Sequence, residues 1–337
     1  METFQITIGI PTFNRPLMLK GLLENIYSEL EAYGNAKDVQ IVVVDGNAGD
    51  NTEEVVRQFE DKLRLKYFKR EEREGIDKDI LKCVELSDGD YCWLFSDDDR
   101  FTPGAISHLL NMLRKEKDLT GCFCNRMPYD FHMEKKVAEI RGWPGKIIKD
   151  NRSFTDKAEL FKYIGMDFGF ISSQVVKRST WREIVESEIF GELANTYYLM
   201  VHVIARMMDR KFKWLYISKP LVKQRTGNDS FVKQEGIMKR QLIEHNSFQM
   251  ILDKHYSRDS EIRKEFFSKM VDRLPRVIAN LKSQHTGYSL QYRLLKLYYE
   301  KYRHYPAFWL KVIPVFLLPN TIFSIVKMVY FKYLARC

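Results

Sequence analysis

The first 120 residues alternate between short apolar runs and amphipathic stretches of helical period, and this alternation constrains the fold more than any other feature. The runs FQITIGIPTF (4–13), VQIVVVDG (39–46), LRLKYF and DYCWLFS have the β-branched and aromatic content of strands. Strands that alternate with helices form βαβ units, which build a mainly parallel sheet. Residues 1–120 are therefore predicted to form an α/β half of the nucleotide-binding type.

The pattern changes twice further along the chain. Strand-like runs such as TGCFCNRM, GFISSQVV and FKWLYIS mix with helices over residues 121–232, and residues 233–337 are almost wholly helical. We therefore expect one α/β domain over residues 1–232, made of the halves 1–120 and 121–232, and a helical C-terminal region after it.

Two local patterns predict where the first strand ends and where the helix after the strand at 91–95 begins. The first strand is expected to stop at Pro11, which cannot donate to a sheet ladder. Beyond the strand at 91–95, the run TPGAISHLLNMLRKE predicts a helix with Thr102 as its N-cap and Pro103 at its first position.

The composition of the chain indicates which binding partners and which cellular location to expect. The chain has 54 Lys and Arg against 45 Asp and Glu, a net charge of +9 that suits an anionic partner. No nucleic-acid-binding module is recognisable and the basic excess is spread along the chain, so no nucleic acid is expected. Cys122 and Cys124 lie at strand spacing without a CxxC pair, which indicates buried thiols and not zinc ligands. The N-terminus lacks a signal-peptide pattern, so a cytoplasmic location is predicted.

Mostly polar residues follow three of the predicted strands, at the point where each strand ends. In chain order the residues at these strand ends are Thr12, Phe13, Asn14, Arg15, Asp45, Asn47, Asp97, Asp98 and Asp99. Ligands of open α/β sheets bind beyond the carboxyl ends of the strands, so these residues are predicted to line one site. Neither GxGxxG nor GxxxxGK[ST] follows the first strand, which argues against a Rossmann dinucleotide site and a P-loop.

The three consecutive aspartates are the strongest single signal. Carboxylates at positions i and i+2 beyond a strand point to the same side, so Asp97 and Asp99 can hold Mg²⁺ or Mn²⁺ through oxygen. Such an ion binds substrate phosphates and neutralises the charge that develops on a leaving diphosphate. A solvated acidic turn before a helix, whose N-terminus favours negative charge, is the alternative that the motif alone leaves open.

Four sequence blocks resemble a known family. They are IPTFNRP, IVVVDGNAGDNT, REGIDKDILKCVELSDGDYCWLFSDDD and the helix that follows. Together they resemble family 2 glycosyltransferases with the GT-A fold, in particular the bacterial branch that includes abequosyltransferase-like enzymes of surface-polysaccharide assembly. The resemblance covers about residues 4–230.

This resemblance implies a metal-dependent, inverting hexosyl- or deoxyhexosyltransferase with Mn²⁺ or Mg²⁺ as cofactor. The donor would be a nucleotide-diphosphate sugar, with UDP as the expected nucleotide, and the acceptor a lipopolysaccharide or capsule glycan carried on polyprenyl diphosphate. One alternative is a sugar nucleotidyltransferase, but that class needs a Gly-rich loop after the first strand. The other is a non-catalytic, membrane-associated glycan-binding protein, which would leave the aspartates without a metal.

The resemblance also implies roles for individual residues. Asp45 corresponds to the carboxylate that hydrogen-bonds the nucleotide base, and Asp97 and Asp99 correspond to the metal-binding DxD pair. Asp79 stands where relatives more often have Asn beside the diphosphate, so Lys78 or the metal would have to compensate its charge. The implied donor-binding set is Pro11, Thr12, Asn14, Arg15, Asp45, Asn47, Asp77, Lys78, Asp79, Asp97, Asp98 and Arg225.

The acceptor base is expected within VESEIFGELANTYYLMVHVIARMM. In relatives, an acidic residue at the start of the helix after the acceptor-binding strand takes the proton of the attacking hydroxyl. Glu192, directly before the predicted helix, is the first candidate and Glu188 the second, whereas His202 is expected to lie in the core. The basic stretch at 218–231 is predicted to be a loop over the diphosphate, with Arg225 as its best phosphate ligand because guanidinium pairs with phosphate bidentately.

The last stretch, residues 304–337, combines large apolar side chains with basic ones. After Glu300 the chain has six Lys or Arg and no Asp or Glu. The apolar runs at 307–318 and 321–331 are each shorter than the ~20 residues that span a bilayer. We predict an in-plane anchor on anionic lipid, and thus a peripheral location on the inner face of the cell membrane. A helical hairpin packed on the protein's own core is the alternative, and a transmembrane helix is less favoured.

Overall fold

The computed structural model describes residues 5–137, 149–257, 259–283 and 287–319. The chain divides into two compact units between Asp229 and Ser230. The first unit contains the sheet and the second is helical, and the predicted α/β class with a helical C-terminal region is confirmed.

The first part of the first unit alternates strands with helices, as the sequence predicts. Its elements are β1 (Ile6–Thr12), α1 (Pro16–Tyr33), β2 (Val39–Asp45), α2 (Thr52–Arg57), β3 (Leu65–Lys69), α3 (Ile76–Glu85) and β4 (Tyr91–Leu94). Every residue of β1 and of β2 is buried, because both faces of these central strands are covered.

The second part of the first unit mixes strands, helices and short 3₁₀ turns. Its elements are β5 (Arg100–Phe101), α4 (Ala105–Lys115), β6 (Gly121–Tyr129), β7 (Arg152–Phe154), α5 (Lys157–Ile164), β8 (Gln174–Lys177), α6 (Arg178–Ser187), α7 (Leu199–Met207) and β9 (Trp214–Arg225). Among the 3₁₀ turns, those that concern the site are Ile171–Ser173, directly before β8, and Gly191–Asn195, between α6 and α7.

The strands form one mixed, mainly parallel sheet in the order β3-β2-β1-β4-β8-β6-β9-β5, and β7 pairs with β9. β3, β2, β1 and β4 run parallel, whereas β8 runs antiparallel to its neighbours β4 and β6. Thr12 at the end of β1 lies beside Asp45 at the end of β2. The carboxyl ends of β1, β2 and β4 therefore meet at one edge of the sheet.

The first strand does not stop at Pro11 as the sequence predicts. The carbonyl of Gly9 accepts from the N–H of Phe95, and Pro11, two residues on, presents its nitrogen to the same side. The pairing of β1 with β4 ends at Gly9, so the missing N–H of Pro11 removes no ladder bond.

The predicted N-cap of α4 is also corrected. Thr102 donates its hydroxyl to the carbonyl of Pro220, at 2.8 Å. The helix begins at Ala105, and the carboxylate of Glu29 accepts from the N–H groups of Gly104 and Ala105, each at 3.1 Å. A distant glutamate on α1 thus accepts from N–H groups at the start of α4 that have no acceptor within the helix.

Residues 218–231 are not wholly a loop. β9 extends to Arg225, which pairs with Tyr129, and Lys223 pairs with Arg100 of β5. This extension brings the end of β9 to the residues that follow β4.

An aromatic cluster flanks the three aspartates in the core. The ring of Phe101 stacks on Phe95 at 4.0 Å between centroids and meets Trp93 edge-on at 4.8 Å. All three side chains are buried. Because buried rings lie on both sides of Asp97–Asp99 in the chain, the acidic turn is held in a fixed position.

The second unit consists of α8 (Ser230–His255), α9 (Glu261–Ser283), α10 (Tyr288–Tyr302) and α11 (Ile313–Leu317). A π-helical turn at Phe308–Val312 directly precedes α11. Phe308 and Val312 are fully buried in this unit. None of the helices that the structure describes is long and apolar enough to cross a membrane.

Candidate functional site

The acidic turn after β4 is bonded to the end of β1. Asp97 is only 2% exposed, and its two carboxylate oxygens accept from the hydroxyl of Thr12 at 2.8 Å and from the Arg15 guanidinium at 2.9 Å. The structure thus brings together two of the strand ends that the sequence predicts to meet.

Asp99 is bonded to two other parts of the fold. Its Oδ2 accepts from the hydroxyl of Ser172 at 2.6 Å, and its Oδ1 accepts from the backbone N–H of Arg225 at 2.9 Å. Ser172 lies in the 3₁₀ turn before β8, and Arg225 ends β9. The acidic turn therefore joins both parts of the sheet.

Asp98, between them, is the most accessible of the three carboxylates. It accepts from the hydroxyl of Ser96 at 2.6 Å and from the amide of Asn228 at 2.8 Å. Arg15 lies 3.6 Å from its second oxygen. Arg15 thus interacts with two of the three aspartates.

Two further arginines bind the backbone of the acidic turn. Arg100 donates to the carbonyl of Asp99 at 2.6 Å, and the Nε of Arg225 donates to the carbonyl of Asp98 at 2.8 Å. Arg225 also donates to the carbonyl of Phe131. Burial and the nearby charge of Arg225 lower the pKa of Arg100 to about 10.

The electrostatics of the turn fit a bound cation. Burial raises the pKa of Asp97 to about 6 although Arg15 opposes it, and burial with the charge of Asp98 raises the pKa of Asp99 to about 7. A divalent ion would compensate these charges, and carboxylate oxygens are the ligands that Mg²⁺ and Mn²⁺ prefer. Within the described ranges no group of three or more His, Cys, Asp or Glu is arranged to hold an ion. An ion here would therefore complete its shell with phosphate and water oxygens.

Asp45 lies at the end of β2 as predicted. Its carboxylate accepts from the hydroxyl of Tyr67 at 2.7 Å and from the N–H of Asn47 at 2.8 Å. Asn47 and Asn14 both adopt left-handed backbone conformations, with φ of 59° and 57°, two residues after the ends of β2 and β1. Asn tolerates this conformation better than most residues, which explains its use at two sharp strand-end turns.

The charge of Asp79 is compensated by a residue that the sequence analysis did not consider. The Nε of Arg70 donates to Asp79 at 2.9 Å, whereas Lys78 pairs with Glu74 at 2.9 Å. A Cβ on Gly46, directly after β2, would lie 3.3 Å from an oxygen of Asp79, so this carboxylate adjoins the strand-end edge. Of the two expected sources of compensation, Lys78 or the metal, Lys78 is therefore corrected to Arg70.

Asp77 turns away from this edge. Its carboxylate oxygens accept from the N–H of Tyr197 at 2.7 Å and of Leu199 at 3.1 Å. The side chain is 4% exposed, and burial raises its pKa to about 7.

The two candidates for the acceptor base differ in environment. Glu188 lies 3.2 Å from the Nε2 of buried His202 and 3.3 Å from the Nε of Arg206. Burial raises its pKa, but these two partners outweigh burial and the pKa lies below the ordinary value. Glu192 is exposed in the turn Gly191–Asn195, and since α7 begins only at Leu199, it does not directly precede that helix as predicted.

The side chains at the site that were not predicted from the sequence include Tyr67, Arg70, Arg100 and Ser172. Arg70 follows β3, so extending the strand-end rule to a fourth strand would have found it. The pair Ser172-Ser173 interrupts the apolar run GFISSQVV, which is a weaker signal.

A mainly parallel α/β sheet with a buried acidic turn beyond β4 defines the class of GT-A-type sugar transferases. Residues 7–175, just over half of the chain, match the family model described as glycosyl transferase family 2. The chain belongs to this family and is a glycosyltransferase. Neither a sugar nucleotidyltransferase nor a non-catalytic glycan-binding protein agrees with this membership.

Two relatives are similar over most of the chain. The chain is 27% identical over 304 residues to abequosyltransferase RfbV of Salmonella typhimurium, covering 88% of this chain and 89% of that protein. It is 22% identical over 258 residues to GalNAc(5)-diNAcBac-PP-undecaprenol beta-1,3-glucosyltransferase of Campylobacter jejuni, covering 75% and 78%. These relatives support a role in polysaccharide biosynthesis.

Solved structures show the same fold. TarS of S. aureus in complex with UDP-GlcNAc superposes with a TM-score of 0.59 at 11% identity, covering 86% of this chain and 84% of that one. The mannosyltransferase PcManGT of Pyrobaculum calidifontis in complex with GDP-Man and Mn²⁺ gives 0.53 at 12% identity, covering 97% and 88%.

Proposed function

We propose that this glycosyltransferase moves a sugar from a nucleotide-diphosphate donor to a lipid-linked bacterial glycan, with inversion and with a divalent metal. The observation that carries the proposal is the acidic turn, whose buried Asp97 and Asp99 lie beside the ends of β1 and β9. In this scheme residues 1–120 bind the donor, residues 121–232 form the acceptor half, and residues 233–337 form a helical region of their own.

The donor would lie across the strand ends. Asp45 would accept from the base, and Thr12, Asn14 and Arg15 would frame the nucleotide beyond β1. TarS was solved with UDP-GlcNAc and with UDP, and PcManGT with GDP-Man. We expect UDP here, since its uracil N–H suits a carboxylate acceptor.

The aspartates would hold Mn²⁺ or Mg²⁺ with the donor diphosphate. When bound, the ion supplies Lewis-acid neutralisation of the charge on the leaving diphosphate. Ser172 and the N–H of Arg225 orient Asp99, and Thr12 and Arg15 orient Asp97. The guanidinium of Arg225 donates to the carbonyl of Asp98, so it also supports the acidic turn in addition to its proposed phosphate contact.

We assign the acceptor base to Glu192. A base must take the proton as the acceptor hydroxyl attacks the anomeric carbon opposite the diphosphate, and this single displacement inverts the configuration. The carboxylate of Glu188 already interacts with Arg206 and His202, which lower its proton affinity. Glu192 is exposed and therefore accessible to a substrate.

A membrane surface is the proposed site of the acceptor, because one relative is named for an undecaprenol-linked substrate. Tyr288, Tyr292 and Tyr299, at positions i, i+4 and i+11, share an exposed face of α10, and the ring of Trp309 lies 6.0 Å from that of Tyr299. Tyr and Trp favour the lipid headgroup region.

The predicted anchor at 304–337 consists of two parts that must be treated separately. Phe308 and Val312 are buried and Lys311 pairs with Asp272 at 2.6 Å, so this part of the tail belongs to the helical unit. Residues 320–337 lie outside the described residues. A truncation after Pro319 therefore tests the anchor: we expect weaker binding to anionic vesicles with unchanged donor hydrolysis, and unchanged vesicle binding would contradict the anchor.

The activity is tested by screening nucleotide sugars for thermal stabilisation with Mn²⁺ present and assaying the best one for hydrolysis. We expect one UDP-sugar to stabilise the protein and to be hydrolysed slowly. Failure of every nucleotide sugar to bind would contradict the proposal.

A further inference from the structure

The first turn of α3 carries two buried carboxylates that face in opposite directions. Residues i and i+2 of a helix point about 200° apart. Asp79 adjoins Gly46 at the end of β2, and Asp77 bonds to the residues that lead into α7. This one helical turn therefore lies between residues 188–198 and the edge of the sheet where we place the donor. We call residues 188–198 the acceptor segment because they contain both base candidates.

Asp77 acts as the N-terminal cap of a helix that is remote in sequence. The first N–H groups of a helix lack intrahelical partners, and Tyr198, the residue at the cap position of α7, makes no side-chain cap hydrogen bond. Asp77 accepts from Leu199 in the first turn of α7 and from Tyr197 before it. The acceptor segment is thus fixed to α3.

The backbone that Asp77 binds is in an unfavourable conformation. Tyr197 has φ of 62°, in the left-handed region that few residues other than glycine adopt. Such a conformation persists only where surrounding contacts enforce it, and the 2.7 Å hydrogen bond from its N–H to Asp77 is such a contact.

We propose that Asp77 is a positioning residue for sugar transfer, which fixes the acceptor segment against the donor site and makes the order of that segment depend on bound donor. The inference rests on the proposed function, and it assigns Asp77 to the acceptor side instead of the expected donor contact. Donor binding beside Asp79 restrains the first turn of α3. The restraint passes through Asp77 to the segment that contains Glu192.

Glu29 provides a matched control. It is also a buried carboxylate of the first unit that caps a distant helix through two backbone N–H groups, those of Gly104 and Ala105. Asp77→Asn and Glu29→Gln each remove one capping charge at nearly constant volume. A purely structural role predicts the same behaviour for both variants.

The experiment measures amide hydrogen exchange over residues 188–198 with and without nucleotide. The probe is whichever of UDP, GDP, CDP and dTDP binds the wild type most tightly in the presence of Mn²⁺. We expect the nucleotide to slow exchange of the segment roughly tenfold in the wild type and in Glu29→Gln, the scale of one hydrogen bond to a charged group. In Asp77→Asn that protection should vanish while nucleotide affinity stays within about twofold.

Other results would overturn the inference. If the nucleotide still slows exchange of the acceptor segment in Asp77→Asn, Asp77 is only a structural helix cap. If Asp77→Asn loses nucleotide affinity, Asp77 contacts the donor instead. A wild type that binds nucleotide without any change in the segment would also contradict it. If no nucleotide binds the wild type at all, the proposed function itself fails, which is a distinguishable outcome.

Discussion

The hydroxyl of Ser172 donates a 2.6 Å hydrogen bond to Asp99 from 73 positions further along the chain. The hydroxyl oxygen of Ser172 also accepts from the N–H of Ser96 at 3.0 Å. The indole N–H of Trp93 donates to the Ser172 carbonyl at 2.9 Å. Ser172 thus aligns the carboxylate proposed to bind the metal and links it to the buried aromatic cluster.

Ser172→Ala should weaken Mn²⁺-dependent nucleotide binding by roughly 10–100-fold, the usual effect of losing a group that orients a metal ligand. Ser173→Ala is the matched control, because Ser173 is equally buried and its hydroxyl has no hydrogen-bond partner in the described structure. Calorimetric titration with nucleotide and Mn²⁺ measures the effect. Equal losses in both variants would mean that packing of the turn matters and not the hydrogen bond.

Glu192→Gln should lower the rate of sugar transfer to a polyprenyl-diphosphate-linked acceptor by roughly 10²–10⁴, because the amide cannot accept a proton. Donor binding should be retained. Glu188→Gln is the comparison, and it should change the rate less because that carboxylate is bonded to Arg206 and His202. If Glu188→Gln shows the large drop instead, the base assignment to Glu192 is wrong.

Arg70→Gln should weaken donor binding by roughly ten- to a hundredfold, since it leaves the buried charge of Asp79 without its hydrogen-bonded partner near the proposed diphosphate. Asp79→Asn in the same chain should restore the affinity by removing that charge. Lys78→Gln, which removes a cation paired with Glu74, should have little effect. A double variant as weak as Arg70→Gln alone would refute this account of Asp79.

Asp77 should make folding stability depend on pH. Burial raises the pKa of its carboxyl from 3.8 to about 7 in the folded protein, so the folded state binds the proton more tightly than the unfolded state. This contribution to stability is complete below pH 3.8 and is lost as pH rises through about 7. Across that window, the free energy of unfolding should fall relative to Asp77→Asn by at most about 4 kcal/mol, at 1.36 kcal/mol per pKa unit. Parallel pH profiles for the two proteins would contradict the shift.

The sheet and the acidic turn could be predicted from sequence because local patterns determine them. Apolar runs of strand length define β1, β2 and β4, and the carboxyl ends of parallel strands necessarily share an edge. The partners of the aspartates could not be predicted in this way. Ser172 contacts Asp99 only because β8 returns antiparallel between β4 and β6.

Helix caps show the same limit. Local pattern favoured Thr102 for α4 and predicted no cap for α7, whereas Glu29 and Asp77 supply these caps from other helices. A cap from a distant residue depends on how the helices pack, and neither residue has a local sequence signal for that role. Arg70, the partner of Asp79, differs from these caps because it directly follows β3 and the strand-end rule could have found it.

The central claim, that Asp97 and Asp99 bind a divalent metal together with the donor, is tested most directly by nucleotide affinity with and without Mn²⁺ in the wild type and in Asp99→Asn. Asn is preferred to Ala because Asp99 is buried and bonded to Ser172 and Arg225, so an isosteric side chain preserves the fold. We predict that Mn²⁺ raises UDP affinity in the wild type and has no effect in Asp99→Asn at an unchanged melting temperature. An equal response to Mn²⁺ in both proteins, or none in the wild type, would contradict the claim.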